Sequence, residues 1–150
     1  MSQQLFQNLM GHSDLSIFPQ ELLNHYSPAE IRETISHLVA NKNVPMAEAL
    51  SAAAISLYPE SEDVLAIASL VAMLSESWDE SVSHLRKLIS VQGDRSPVTT
   101  HLMLVRALRC SLEPAEALNA VIAAHEKFPE SKELETEFKA LSAQFGMLED

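Results

Sequence analysis

Cysteine and glycine are scarce in this 150-residue chain, and each shortage excludes a class of site. The single cysteine, Cys110, excludes an intramolecular disulfide and a metal site built on a cysteine pair, and it fits a reducing compartment. Only three glycines are present, at positions 11, 93 and 146, so the sequence has no glycine-rich phosphate-binding loop. We therefore expect no nucleotide site and no cofactor.

Basic residues and long apolar runs are also few. Ten Lys and Arg residues face 21 Asp and Glu residues, and the formal net charge is -11. This charge repels phosphate backbones and anionic lipid surfaces, so we expect neither a nucleic-acid partner nor a membrane. The most apolar stretch, residues 64–74, is shorter than the roughly 20 residues that span a bilayer. Residues 1–10 contain no basic residue and do not resemble a signal peptide, so a cytoplasmic location is expected.

Catalytic and metal-binding patterns are missing. The six histidines are scattered and form no pair at metal-binding helical spacing, so we expect them at the surface or at its boundary with the core and expect no metal site. Cys110 lies near two arginines that could favour its thiolate, but a buried, inert thiol is the simpler expectation. The acidic residues of the C-terminal region are expected to be solvated rather than catalytic, namely Glu133, Glu135 and Glu137. The sequence thus predicts a protein that is not an enzyme, with no catalytic residues.

A four-residue stretch recurs and organises the chain. Tyr-Pro-Glu-Ser begins at Tyr58, and Phe-Pro-Glu-Ser begins at Phe128, an interval of 70 residues. Proline cannot continue a helix, and the following serine can cap the next one, so each copy predicts a hinge between two helices. A helix–turn–helix unit that returns at a fixed interval is typical of a solenoid.

Helix-start signals extend this pattern to an all-α fold with seven main helices. They predict three antiparallel pairs and one terminal helix, with starts at Ser27, Ser61, Ser77, Ser96 and Ser131 and at two prolines, Pro45 and Pro114. We expect residues 27–150 to form a helical repeat domain, preceded by residues 1–26 as a capping segment or arm, within a single domain overall. The arm carries an apolar stripe that would cap the first repeat or join subunits: Leu5, Phe6, Leu9 and Met10.

Residues 64–74 are apolar on almost every side, which predicts a central helix covered by neighbours before and after it. Leu65, Ile67, Leu70 and Leu74 belong to this helix and are expected to be buried, unless Leu70 points into an open groove.

The second helices resemble the tetratricopeptide repeat (TPR) family. The small, small, proline positions of that family are matched in the first and third pairs by Ala47, Ala54 and Pro59 and by Ala117, Ala124 and Pro129. This resemblance implies a right-handed α-solenoid whose first helices line a concave groove for peptides or partner helices. Small acidic proteins of this build also resemble bacterial type III secretion chaperones, so a chaperone or assembly partner is one alternative. A structural homo-oligomeric subunit is another.

The implied groove would be lined by first-helix residues, and its expected partner is a protein or peptide. The predicted lining residues are Arg32, Leu70, Met73, Leu102, Arg106 and Arg109. Arginine could bind a carboxylate through its planar fork of donors, while leucine and methionine hold an apolar anchor. An alternative stays open, in which Arg106 and Arg109 pair with glutamates of the next unit and stabilise the stack.

Overall fold

A computed structural model describes residues 23–146, and that range contains seven α-helices and no β-strand. The predicted all-α fold with seven main helices is confirmed. The helices are α1 (Pro28–Ala40), α2 (Val44–Leu57), α3 (Glu62–Leu74), α4 (Trp78–Gln92), α5 (Val98–Cys110), α6 (Pro114–Lys127) and α7 (Lys132–Gln144), with a 3-10 turn at Gly93–Arg95. The arm residues Leu5, Phe6, Leu9 and Met10 lie outside the described range.

Serine caps begin three of the helices, as predicted. The Ser27 hydroxyl accepts a hydrogen bond from the Glu30 N–H at 3.2 Å, and the Glu30 carboxylate accepts one from the Ser27 N–H at 3.1 Å. Ser61 and Ser131 each accept from the N–H three residues later, both at 3.3 Å. These bonds satisfy amides that the first helical turn leaves without partners.

The helix expected to start at Ser96-Pro97 is present, but Ser96 does not cap it. Helix α5 begins at Val98 after Pro97, which makes no side-chain cap. The Ser96 hydroxyl lies against Gln92 Oε1 at 3.1 Å instead, and Ser96 is buried. Its hydroxyl is thus engaged by the preceding helix and cannot reach the free amides of α5.

The two hinges have the same backbone geometry. Tyr58 ends α2 with φ -127° and ψ 67°, and Phe128 ends α6 with φ -128° and ψ 68°. Both residues donate their N–H to the carbonyl four residues back, at 2.7 and 2.8 Å. A proline follows each of them and ends the helix, as the repeated motif predicts.

The odd-numbered helices mark the repeat. They begin at residues 28, 62, 98 and 132, so their starts are 34, 36 and 34 residues apart. Each ends before a residue with positive φ, at Lys42, Glu76, Leu112 and Gly146 (62°, 59°, 63° and 67°). After the first three of these, the next amide donates to the carbonyl five residues back at 2.8, 2.8 and 3.0 Å, which is the Schellman arrangement.

The described residues fall into two compact units, residues 23–77 and residues 78–146. In the first unit, α1 packs on α2 and α3, and α2 packs on α3. Leu23 and Tyr26, which precede α1, are buried in the same core cluster as Ile31, Ile35 and Leu50. The end of the segment that precedes the predicted boundary at residue 27 therefore packs within the first unit; the boundary itself stays a prediction.

The expectation that α3 is covered on all sides is wrong. Leu65 and Ile67 are buried, but Leu70 is 39% exposed and Leu74 is 51% exposed. Within its unit α3 packs on α1 and α2, and a uniformly apolar sequence does not specify how many neighbours a helix has.

In the second unit, α5 packs on α4 and α6, and α7 packs on α6 and more lightly on α5. Its largest fully buried side chains are Leu85, Leu108, Leu134 and Leu141. The small residues behind the family resemblance are buried in both units, at 0% to 2% exposure for Ala47, Ala54, Ala117 and Ala124. Small side chains at these positions permit the close approach of helix backbones.

Candidate functional site

Three of the predicted groove residues lie in the first unit. Arg32 extends from α1, half exposed, and its Nη1 lies 2.9 Å from Asp63 Oδ1 at the start of α3. Leu70 and Leu74 stand one helical turn apart on α3 and are both exposed, and Met73 beside them is partly buried. Because residues four apart share a helix face, these leucines form a continuous apolar strip. We call this strip, with Met73, the α3 surface.

The other three predicted groove residues lie in the second unit, on α5. Leu102 is partly buried, while the side chains of Arg106 and Arg109 are 47% and 43% exposed. Both arginines bind Glu137 of α7: Arg106 Nε lies 3.5 Å from Oε1, and Arg109 Nη1 lies 2.5 Å from Oε2. This geometry is the stabilising pairing with a glutamate further along the chain that the sequence left open, here with a glutamate of the terminal helix α7. The groove role of the two arginines stays a prediction.

Glu137 corrects a sequence expectation, because it is buried rather than solvated, with a side chain only 8% exposed. A signal for this burial was present in the sequence. Glu137 follows the buried Leu134 by three residues and precedes the buried Leu141 by four, so it lies on the inward stripe of α7. A carboxylate at such a position requires cations, and the two arginines provide them.

Cys110 also differs from expectation, since it is exposed rather than buried. The buried residues of α5 lie at positions 100, 104, 105, 107 and 108. Cys110 is the last residue of the helix and falls outside that stripe.

The hinge residue Phe128 contacts a histidine ring and a lysine. The His101 ring lies 5.6 Å from the Phe128 ring, centroid to centroid, and Lys127 Nζ lies 5.5 Å from the same ring centre. The His101 Nε2 atom is buried without a hydrogen-bond partner. Burial lowers the pKa of His101 below its usual 6.5, and the positive charge of Lys127 lowers this pKa further.

Two open clefts lie in the second unit. One, of about 470 Å³, borders the hinge and is lined by Val98, Lys127, Phe128, Pro129, Glu130, Ser131 and Glu133. We call it the hinge cleft. The other, of about 400 Å³, lies among α4, α5 and α6 beside an ion pair in which Arg86 Nη2 lies 3.0 Å from Glu116 Oε2. The sequence predicted neither cleft.

Among residues 23–146, no group of three or more His, Cys, Asp and Glu side chains is placed to hold a metal ion. None of the helices in that range combines the length and apolar character needed to cross a membrane.

No protein-family model matches the chain, and no curated protein matches it. Solved structures do match its fold. MamA from AMB-1 superposes with a TM-score of 0.70 at 16% identity, over 97% of this chain and 80% of that one. MamA (41-end) from Desulfovibrio magneticus RS-1 gives 0.71 at 10% identity, over 97% and 84%. YrrB, described as a TPR protein with an unusual peptide-binding site, gives 0.68 at 18% identity, over 85% and 66%. The predicted fold class is thereby confirmed: the chain has an all-α, tetratricopeptide-like solenoid fold.

Proposed function

We propose that the protein is a non-enzymatic interaction module that binds an amphipathic peptide or partner helix on its first helices. The observation that carries this proposal is the α3 surface, where Leu70 and Leu74 stay 39% and 51% exposed. Large apolar side chains grouped on one helix face are typical of surfaces that bind another protein. YrrB, which shares the fold, is itself described as having a peptide-binding site.

The charge of the first unit indicates the chemistry of the partner. Residues 23–77 contain seven acidic and two basic residues, a net charge of -5. One of the two basic residues, Arg32, is paired with Asp63. An apolar strip in an acidic unit favours a partner helix with leucine-type anchors and basic flanks, because these complement both features.

The experiment compares two charge-introducing variants. The Leu70→Glu/Leu74→Glu variant places carboxylates in the α3 surface, and Leu112→Glu makes the same change at a leucine that is 86% exposed in the loop after α5. Partners captured from the native cell by the wild-type protein are identified by mass spectrometry, purified and titrated by calorimetry. We expect the double variant to bind at least about tenfold more weakly, as for loss of a hot spot, and the control to bind normally.

Circular dichroism melting of each variant separates binding from folding. Equal affinity of the wild type and a folded double variant would overturn the assignment of the α3 surface. The alternatives of a secretion chaperone and of a homo-oligomeric subunit stay predictions, as does the cytoplasmic location.

A further inference from the structure

The turns before α1 and α5 have the same backbone geometry. The Tyr26 N–H donates to the Leu23 carbonyl at 3.0 Å, and the Ser96 N–H donates to the Gly93 carbonyl at 3.1 Å. The residue just before each helix has nearly equal angles, φ -73° and ψ 158° before α1 and φ -77° and ψ 160° before α5. Positions 70 residues apart therefore correspond in the two units, as the two hinges already indicate.

In the first unit, side chains of the chain itself surround the hinge. Leu23 is 0% exposed and Tyr26 is 8% exposed, and Tyr58 packs against the cluster that contains them. The Tyr58 hydroxyl donates to the Tyr26 carbonyl at 2.9 Å. On the polar side, Asp63 is paired with Arg32. The backbone of Tyr26 thus contacts the hinge residue Tyr58, Leu23 belongs to the core cluster against which Tyr58 packs, and Arg32 pairs with Asp63 just after the hinge.

In the second unit, the three corresponding positions have lost these side chains. Gly93 replaces Leu23, Ser96 replaces Tyr26, and Leu102 replaces Arg32. Glycine adds no side chain, and the small Ser96 side chain is directed to Gln92 Oε1. Leucine cannot form an ion pair with Glu133, the residue that corresponds to Asp63.

The hinge cleft borders the second hinge, whose counterpart in the first unit packs against the cluster that contains Leu23 and Tyr26. Val98, Phe128 and Pro129 supply apolar lining, and the two carboxylates of Glu130 and Glu133 outnumber the one cation, Lys127. Glu133 Oε2 accepts a hydrogen bond from the Ser131 hydroxyl at 3.4 Å. The opening of about 470 Å³ is large enough for an aromatic side chain with a neighbouring aliphatic one. The hinge cleft belongs to the second unit, whereas the α3 surface belongs to the first.

We propose that the hinge cleft binds a segment of a partner protein. The side chains of this segment take the part at the second hinge that Leu23, Tyr26 and Arg32 take at the first hinge. The segment carries a leucine, a tyrosine three residues later and an arginine or lysine further on. Its aromatic ring packs against Phe128, and its cation pairs with Glu133. The first unit is the internal example of this arrangement, and the acidic edge of the cleft selects the basic residue.

The probe is a synthetic peptide with the sequence of residues 19–34 of this chain, labelled at its N-terminus and titrated with the full-length protein by fluorescence anisotropy. This peptide contains Leu23, Tyr26 and Arg32. We expect saturable binding, and we expect Tyr26→Ala in the peptide to weaken it about tenfold, because an aromatic anchor dominates such contacts. A peptide of the same composition in scrambled order is not expected to bind.

Two protein variants assign the site. Glu133→Lys removes the acidic partner, and Leu102→Arg supplies a cation to Glu133 within the chain, as Arg32 does for Asp63. Each is expected to weaken binding about fivefold, the upper range for an exposed ion pair. Neither is expected to weaken binding further when the peptide carries Arg32→Ala. The matched control, Glu126→Lys, reverses the charge of an exposed glutamate of α6 that does not line the cleft, and it is expected to bind normally.

Several outcomes would overturn the proposal. They are no binding of the peptide, equal binding of the scrambled peptide, or full binding by both Glu133→Lys and Leu102→Arg. Loss of binding in the Leu70→Glu/Leu74→Glu variant would place the peptide on the α3 surface instead. A mass that rises with protein concentration and falls in Glu133→Lys would make the occupant a second copy of this chain. A melting curve is recorded for every variant to check that it folds. If Glu133→Lys does not fold, the result for Leu102→Arg decides the test.

Discussion

Glu137 is the side chain on which the packing of α5 against α7 depends electrostatically. Its carboxylate is 8% exposed and binds two arginines that are themselves about half exposed. Replacing it by glutamine keeps the shape but removes the charge that both guanidinium groups face. Because the arginines can be solvated in the variant, the expected loss is moderate, about 1–2 kcal/mol in the free energy of unfolding.

Chemical denaturation of Glu137→Gln measures this loss, with Glu135→Gln on the exposed face of α7 as the control. In the double variant Arg106→Glu/Arg109→Glu, three carboxylates face one another, so we expect a clearly lower melting temperature. Unchanged stability together with lost partner binding would instead assign the two arginines to a groove.

We expect His101 to make the free energy of unfolding depend on pH. Its folded-state pKa is lowered, chiefly by burial and further by Lys127, whereas the unfolded chain takes up a proton near 6.5. Below that pH the unfolded state therefore binds more protons than the folded state, and stability falls as pH decreases until the folded-state pKa is passed. We expect the difference in unfolding free energy between pH 7.5 and pH 5.5 to shrink in His101→Gln. The exposed His37 provides the control substitution, and an equal pH dependence in both variants would contradict the assignment.

Among the helices, α3 combines a buried and an exposed side. Leu65→Ala opens a cavity in a position 2% exposed and is expected to cost about 2–5 kcal/mol. Leu74→Ala removes a side chain that is 51% exposed, so its cost is expected to stay below about 1 kcal/mol. Equal losses at the two positions, measured by urea denaturation, would show that α3 is covered on both sides after all.

The ends of the odd-numbered helices contain strained residues whose replacement tests the Schellman geometry. Leu112 has φ 63° and is 86% exposed, so glycine there relieves the left-handed conformation without loss of packing. Leu112→Gly is expected to stabilise the protein by about 0.5–1 kcal/mol, after allowance for the greater freedom of glycine in the unfolded chain. Leu112→Ala retains the Cβ atom and is expected to gain nothing. A glycine variant no more stable than the alanine variant would refute the strain.

The helix order and the hinges were predictable because their signals are local. Serine caps and prolines act within a few residues. Local sequence was therefore enough to predict the two hinges and the caps at Ser27, Ser61 and Ser131. The turn at Leu112 was hidden because leucine gives no signal for positive φ. Burial of Glu137 depends on arginines 28 and 31 residues away, and the hinge cleft brings Val98 of α5 together with the hinge and Glu133 of α7. Long-range pairings of this kind cannot be derived from local patterns.

At the scale of the whole molecule, two truncations test how the N-terminal segment contributes to stability. They differ in whether they retain the buried residues that precede α1. A chain that begins at residue 27 loses Leu23 and Tyr26, which are 0% and 8% exposed, whereas a chain that begins at residue 23 keeps them. Loss of two buried side chains is expected to lower the unfolding free energy by about 3 kcal/mol or more. The longer chain is expected to retain this part of the stability.

Light scattering on the same two chains addresses the predicted role of Leu5, Phe6, Leu9 and Met10. If this apolar stripe joins subunits, the mass falls already in the chain that begins at residue 23, although its core is intact. If the stripe caps the first repeat, the mass stays constant and the melting temperature falls in that chain as well. Full stability in the chain that begins at residue 27 would contradict the burial of Leu23 and Tyr26. It would also remove the internal example on which the hinge-cleft proposal depends, so the chain that begins at residue 27 tests both conclusions.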